Sequence, residues 1–216
     1  MSRDLLPDLD AGLAALGQAD LTPTQRLQLL DYLQLLARWN RAYNLTAVRA
    51  PAEMVGRHLL DSLSIRPHLR GARILDVGTG AGLPGIPLAI AEPARRFVLL
   101  DSLGKRITFL RQVLLDLRLD NVTLVQARVE DYRPAAPVDC IVSRAFASLA
   151  DFAAAVAHLL GPGTCALAMK GRAAEAELAQ WRQTAQGRRA QAEIVPLAVP
   201  GGEEARYAVR WFYPDR

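Results

Sequence analysis

Residues 74–90 read ILDVGTGAGLPGIPLAI, and the chemical potential of the chain is concentrated there. An acid, Asp76, stands two residues before Gly78, and Gly80 and Gly82 follow at alternate positions. Glycine permits positive φ and lets backbone N–H groups approach a bound molecule closely. The apolar run before the loop reads as a strand and GIPLAIA after it as a helix. In an open α/β sheet, ligands sit beyond the carboxyl ends of the strands, which is where this loop falls. The next strand-like run ends in Leu100-Asp101. An acid at that point can accept hydrogen bonds from both hydroxyls of a ribose.

Spacing separates two cofactor classes. Dinucleotide loops run G-x-G-x-x-G and bring a helix N-terminus up to a pyrophosphate. Here Leu83 stands where that third glycine would be, Gly82 comes one residue early, and Pro84 and Pro87 follow. D-x-G-x-G-x-G with an acid at the next strand end resembles the S-adenosylmethionine site of class I methyltransferases. That cofactor carries an amino-acid tail and a sulfonium instead of a pyrophosphate, and nearby acids suit it. A tight strand–helix turn with no ligand is the alternative that the loop residues leave open.

The elements that must position these residues are legible too. From residue 72, ARILDV, FVLLD, NVTLVQ, DCIVS and TCALAM read as strands. GIPLAIA, KRITFLRQVLLDL and SLADFAAAVAHLL read as helices between them. Strand–helix alternation predicts a mostly parallel, Rossmann-like α/β sheet covered on both faces. A helix over 172–186 and two strands, RAQAEIVPLAV and ARYAVRWFY, make seven strands with a final antiparallel pair, Gly201-Gly202 lying in the loop between them. No strand signal precedes residue 72. Thr22, Pro23 and Gln25 open a helix over 22–44 with a capping box, and Leu27, Leu30, Leu33 (or Tyr32), Leu36 and Trp39 recur along it at helical spacing. Pro51 opens a further helix, PAEMVGRHLLDSL. The expected division is a helical extension over 1–68 and an α/β domain over 69–216.

Bulk properties narrow the class. The 216 residues are 51% apolar, enough for a sizeable core, and no run of about 18 apolar residues predicts a membrane span. The N-terminus, MSRDLLPDLD, lacks the apolar stretch of a secretory signal. Cys140 and Cys165 lie in strand-like runs and read as buried thiols, which fits a reducing cytoplasm. The histidines at 58, 68 and 158 are scattered, so no metal is expected. Trp181 and Trp211 read as structural, and Trp39 as core packing rather than a stacking platform. Net charge is +4, and only Lys105 and Lys170 are lysines. So many arginines fit phosphate recognition, and they also fit a GC-rich genome.

Four stretches in order carry a more specific resemblance: WNRAYNLTAVRAPAEMVGRHLLDSL (39–63), DVGTGAGLPGIPLAI (76–90), LLDSLGKRITFLRQV (99–113) and VSRAFASLADF (142–152). Together they closely resemble the ribosomal RNA small subunit methyltransferase G family, also called glucose-inhibited division protein B, over about residues 25–172. The resemblance implies methyl transfer from S-adenosylmethionine to N7 of one guanine in 16S rRNA, nucleotide 527 in the 530 loop. It implies a class I methyltransferase domain with the N-terminal helices as an RNA-side cap. The family's cofactor residues match Gly78, Leu83, Val129, Glu130 and Arg144. Asp101 is added from the wider class, and Asp76, Gly80 and Gly82 complete the loop. The expected partner is 16S rRNA or the 30S subunit, bound by a cytoplasmic monomer. RNA docking is expected at Arg38, Arg41, Arg57, His58, Lys105, Arg106, Arg111 and Lys170. Two departures stand out: AMKG (168–171) replaces ALKG, and Tyr207 stands where the family usually has histidine.

The implied chemistry agrees with what the chain omits. Guanine N7 carries a free lone pair, so no general base is required and alignment is expected to carry the catalysis. SRAF stands where amino-group methyltransferases have N-P-P-[YFW], and neither cysteine lies in a Pro-Cys loop. Arg144 is expected near the target base, orienting it through O6 or a phosphate, or else paired with a loop acid such as Asp76. A nicotinamide oxidoreductase, a small-molecule methyltransferase and a non-catalytic assembly factor are the competing readings.

Overall fold

The structure is a computed structural model and describes residues 3–144, 146–202 and 205–214. Its strands are β1 (Arg73–Val77), β2 (Arg96–Asp101), β3 (Val122–Gln126), β4 (Cys140–Ser143), β5 (Cys165–Lys170), β6 (Gln191–Leu197) and β7 (Arg206–Phe212). They form one sheet in the order β3-β2-β1-β4-β5-β7-β6. β7 runs antiparallel between β5 and β6, and the rest is parallel, as the strand–helix alternation predicts. Strand order reverses between β1 and β4, and such a switch point opens a crevice beyond the carboxyl ends of the strands. Cys140 and Cys165 are register partners at the opposite end of β4 and β5, both buried as free thiols.

Nine α-helices lie among the described residues: α1 (Leu6–Ala15), α2 (Pro23–Tyr43), α3 (Pro51–Met54), α4 (Asp61–Leu63), α5 (Gly85–Ala91), α6 (Gly104–Leu117), α7 (Leu149–Val156), α8 (Ala174–Trp181) and α9 (Ala185–Arg189). None is long and apolar enough to cross a membrane. The capping box of α2 forms as read: Thr22 Oγ1 accepts from Gln25 N and Gln25 Oε1 accepts from Thr22 N. Gln25 does more, because its Nε2 donates to the Ile90 carbonyl at 2.9 Å and so ties the start of α2 to the end of α5. The buried stripe of α2 differs from the expected one. Leu27 is 37% exposed, whereas Leu29, Tyr32 and Leu35 are buried with Leu30, Leu33 and Leu36. The reason is that α2 packs against α1, α5 and α6 together, which buries a band wider than one heptad seam.

One apolar cluster joins the N-terminal helices, α5 and α6 to one face of the sheet. A second packs α7, α8 and the Trp181–Trp211 pair on the other face, with ring centroids 5.3 Å apart. Fully buried leucine and phenylalanine side chains contribute about 1.5–3 kcal/mol each, so the first cluster holds the N-terminal helices firmly onto the sheet. Two expected helices are not simple. The single helix expected over 172–186 is interrupted, because Thr184 caps a new turn by accepting from Gly187 N while its hydroxyl donates to the Trp181 carbonyl. The helix expected from Pro51 is α-helical at both ends and π-helical over Val55–Leu60.

Candidate cofactor site and acceptor cavity

The glycine loop leaves β1 with Gly78, Gly80 and Gly82 at φ values of 68°, 61° and 94°. Its backbone donors are largely spent inside the protein. Gly78 N and Thr79 N donate to the Leu100 carbonyl, and Gly82 N and Leu83 N donate to the Thr79 carbonyl. Gly80 N donates to Asp101 Oδ2 at 2.9 Å and Gly85 N to Asp76 Oδ2 at 2.8 Å. A pyrophosphate cradle requires such groups to point freely at the ligand. This loop is built for something other than a pyrophosphate.

The three glycines do different things. A Cβ on Gly80 would meet nothing nearer than the Gly78 carbonyl at 3.9 Å, and one on Gly78 would lie 3.8 Å from the Phe146 ring. A Cβ on Gly82 would sit 2.5 Å from Ile86 and 2.7 Å from Leu110. Space beside Gly78 and Gly80 is therefore open, while Gly82 lets the loop close on the core. Leu83 is buried beside it. Of the loop residues expected to hold cofactor, Asp76, Gly82 and Leu83 are turned inward.

Asp76 is fully buried, and its Oδ2 also accepts from Thr79 Oγ1 at 2.6 Å. Burial pushes its carboxyl up to about 6, partly offset by the Thr79 and Gly85 hydrogen bonds and the Arg144 charge. The protonated acid is thus favoured by folding. Its contribution to stability is fully present below the ordinary carboxylate value and lost as pH rises through about 6. Asp76→Asn does not titrate. Its stability relative to wild type is expected to improve by about 2–3 kcal/mol between pH 4 and pH 8. Thermal unfolding of both proteins across that range checks this; a constant difference refutes it.

Asp101 ends β2 and is buried. Its Oδ1 accepts from Leu103 N at 2.9 Å, and its Oδ2 accepts from Gly80 N and from Arg106 Nη1 at 3.0 Å. A carboxylate has about four lone-pair positions, so room remains for a ribose hydroxyl. Val129 and Glu130 form the 3-10 turn after β3, whose exit is held to β2 by Ala127 N donating to the Asp101 carbonyl. Gly78, Gly80, Asp101, Val129 and Glu130 thus share the carboxyl edge of the sheet.

Beside them, beyond β4 and β5, lies a cavity of about 400 Å³ whose wall includes His58, Asp61, Arg144, Phe146, Lys170 and Tyr207. Arg144 Nη1 donates to Asp61 Oδ2 and to the Arg57 carbonyl, each at 3.1 Å. Its ion-pair partner is therefore Asp61 of the N-terminal helices and not Asp76. The glycine loop, Asp101 and this polar cavity therefore lie at one strand edge.

A family model described as rRNA small subunit methyltransferase G matches residues 25–205. The chain belongs to the rRNA small subunit methyltransferase G family. A family member from Shewanella loihica is 47% identical over 95% of this chain and 97% of its own length. One from Pseudomonas paraeruginosa is 52% identical, covering 96% and 95%. Among solved structures, the S-adenosylmethionine-dependent methyltransferase SibL superposes with a TM-score of 0.59 at 18% identity, covering 87% of this chain and 70% of that one. That likeness places the fold in the class I, Rossmann-like group. Family and fold make this protein an S-adenosylmethionine-dependent methyltransferase.

The cations expected to meet RNA fall into two sets. Arg38, Arg41, Arg57, Lys105 and Arg111 are exposed. Lys105 Nζ donates to the Tyr43 carbonyl, so the end of α2 and the start of α6 present their charges side by side. Trp39 packs between Tyr43 and Phe109, with centroids 5.1 and 5.7 Å away. The remaining three are placed differently from the expected docking surface. Arg106 is tied to Asp101. Lys170 has a side chain only 8% exposed and is bound to Glu177 at 2.9 Å and the Phe146 carbonyl at 3.2 Å. His58 is buried, and burial pulls its imidazole down to about 4. Its Nδ1 donates to the Arg57 carbonyl and its Nε2 accepts from Thr46 Oγ1, so it is a neutral brace of the cavity wall.

Sequence reading missed Asp61, Phe146, Thr79 and Tyr32. The first three carry no signal outside the fold. Tyr32 lies in the apolar stripe of α2, and its phenol was the clue. Fully buried, it donates to the Ala81 carbonyl at 2.8 Å, coupling the N-terminal helices to the cofactor loop. Tyr32→Phe leaves that carbonyl without its partner and is expected to cost about 1–3 kcal/mol. Calorimetric titration with S-adenosylmethionine is expected to show weaker binding by several-fold; unchanged stability and affinity would refute the coupling.

Proposed function

We propose that this enzyme methylates N7 of a guanine in 16S rRNA, nucleotide 527 in the 530 loop. Membership of the rRNA small subunit methyltransferase G family over residues 25–205 carries this reading. S-adenosylmethionine, when bound, supplies a methyl group on a sulfonium. Gly78 and Gly80 admit it close to the backbone, and Asp101 accepts from its ribose. Val129 and Glu130 flank the adenosine side. Arg144 stands at the end of β4, between the loop and the acceptor cavity, where it orients the base. Guanine N7 needs no deprotonation, so a cavity walled by a neutral His58 and an engaged Lys170 suffices.

In this reading, residues 1–68 form an RNA-side cap on the methyltransferase domain. Arg38, Arg41, Arg57, Lys105 and Arg111 track the phosphate backbone, and the protein acts as a cytoplasmic monomer on 16S rRNA or the 30S subunit. Phosphate contacts predict RNA affinity that falls steeply with salt. The decisive experiment offers radiolabelled S-adenosylmethionine with 30S subunits and with deproteinised 16S rRNA, both from cells lacking the enzyme, and maps the label. Label on a single guanine N7 in the 530 loop is expected. Label on another base or position would overturn the assignment.

A further inference from the structure

Asp61 sits immediately after the π-helical turn Val55–Leu60 and lines the acceptor cavity. It is 5% exposed, and its two oxygens are held unequally. Oδ2 accepts from Arg144, whereas Oδ1 has no hydrogen-bond partner among the described residues, with Arg206 Nε 3.5 Å away in the same wall. Oδ1 is thus ion-paired with Arg206 but not hydrogen-bonded, and it keeps acceptor capacity for a donor that reaches the cavity. π-turns concentrate at functional sites, and this one sets the placement of Asp61 opposite the end of β4.

We propose that the Arg144–Asp61 pair reads the Watson–Crick edge of the target guanine, a role that rests on guanine being the acceptor. Arg144 donates to O6, and Asp61 accepts from N1–H and from the exocyclic N2–H. Along this edge guanine presents acceptor, donor, donor; the pair presents donor, acceptor, acceptor. Adenine would set its 6-amino group against Arg144 and its N1 lone pair against the carboxylate. Held this way, guanine keeps N7 clear, because N7 lies on the far side of O6 from N1.

The same contact assists the chemistry. As N7 forms its bond to the methyl carbon, the sulfur–methyl bond breaks and its electron pair stays on sulfur. The purine becomes cationic, which makes N1–H a stronger donor. The Asp61 carboxylate therefore interacts more strongly with the transition state than with the neutral base, and that difference appears in kcat.

The test uses the full-length protein, S-adenosylmethionine and 30S subunits reconstituted on 16S rRNA carrying guanosine or inosine at the target position. Inosine keeps N7, O6 and N1–H but lacks the 2-amino group. Wild type is expected to lose about tenfold in kcat/KM on inosine, within the range for one base-edge contact. Asp61→Asn is expected to lose about 100-fold on guanosine and to discriminate inosine little further, with cofactor affinity unchanged. Near-normal turnover by Asp61→Asn, or a wild-type preference for guanosine that survives the substitution, overturns the assignment. If the variant fails to fold, the wild-type ratio decides: equal rates on guanosine and inosine overturn it. No wild-type transfer to guanosine would overturn the substrate reading and this one with it.

Discussion

Arg144→Ala is expected to lower methyl transfer by about 10²- to 10³-fold, the range for removing one preorganised donor from a reaction centre. S-adenosylmethionine affinity is expected to change much less. The reason is connectivity: Arg144 is bonded to Asp61 and the Arg57 carbonyl, whereas the loop donors close on Leu100, Asp101, Thr79 and Asp76. Stability is expected to fall as well. Breaking a fully buried ion pair from one side costs about 3–5 kcal/mol; less is expected here, because the Arg144 side chain is 25% exposed and Arg206 stays near Asp61. The double variant Arg144→Ala/Asp61→Ala removes the stranded charge, so it is expected to recover stability without recovering rate. Arg144→Lys keeps the charge but loses the planar fork, and only partial rescue is expected. Single-turnover rates with thermal unfolding of the four proteins separate these effects. Full turnover by Arg144→Ala would remove Arg144 from the mechanism.

Gly82→Ala is expected to be the most damaging substitution to folding in the loop. An L-residue in the left-handed region costs about 1–2 kcal/mol. The added methyl would also lie 2.5 Å from Ile86 and 2.7 Å from Leu110, and overpacking typically costs about 1–3 kcal/mol. Together these remove about 2–5 kcal/mol from a typical total of about 5–15 kcal/mol. Gly80→Ala is the informative contrast. Its φ is also positive, at 61°, but no atom lies within 3.9 Å of the new carbon. It is expected to lose only the conformational part of the stability while weakening cofactor binding at least tenfold, because the methyl would occupy open space on the loop proposed to receive the cofactor. Chemical denaturation and calorimetric titration distinguish them: Gly82 acts through stability and Gly80 through affinity. Equal effects of both on stability would refute the division.

The glycine loop and the elements around it were legible because their signals are local. A strand followed by alternating glycines, an acid at the next strand end, and a capping box at Thr22 each depend on residues close in the chain. The antiparallel end of the sheet was legible for a similar reason, since two strand-like runs follow β5 with only a short glycine-bearing loop between them. The family resemblance added the rRNA methyl-transfer reaction, and the base proposed for it, which no local pattern encodes. The misreadings came where tertiary contacts decide. Leu27 keeps the helical period of α2, yet it faces solvent because α1, α5 and α6 together select a different band of that helix. His58 reads as either an RNA contact or a helix-capping histidine and Lys170 as a surface cation, yet His58 is a buried neutral ring and Lys170 an engaged ammonium.

The chain by itself therefore determined the α/β class, the order of its strands and helices along the chain, the glycine loop after β1 and the acid that ends β2. These follow from periodicity, from glycine's freedom at positive φ and from strand-end geometry, all short-range effects. Only the tertiary structure decided that Gly82 packs while Gly80 opens. It alone set Asp76 inside the loop and paired Arg144 with Asp61, across 83 positions of sequence. Pairings at that separation depend on how the N-terminal helices and the sheet bury a common apolar surface, and burial of that kind leaves no local trace in the sequence.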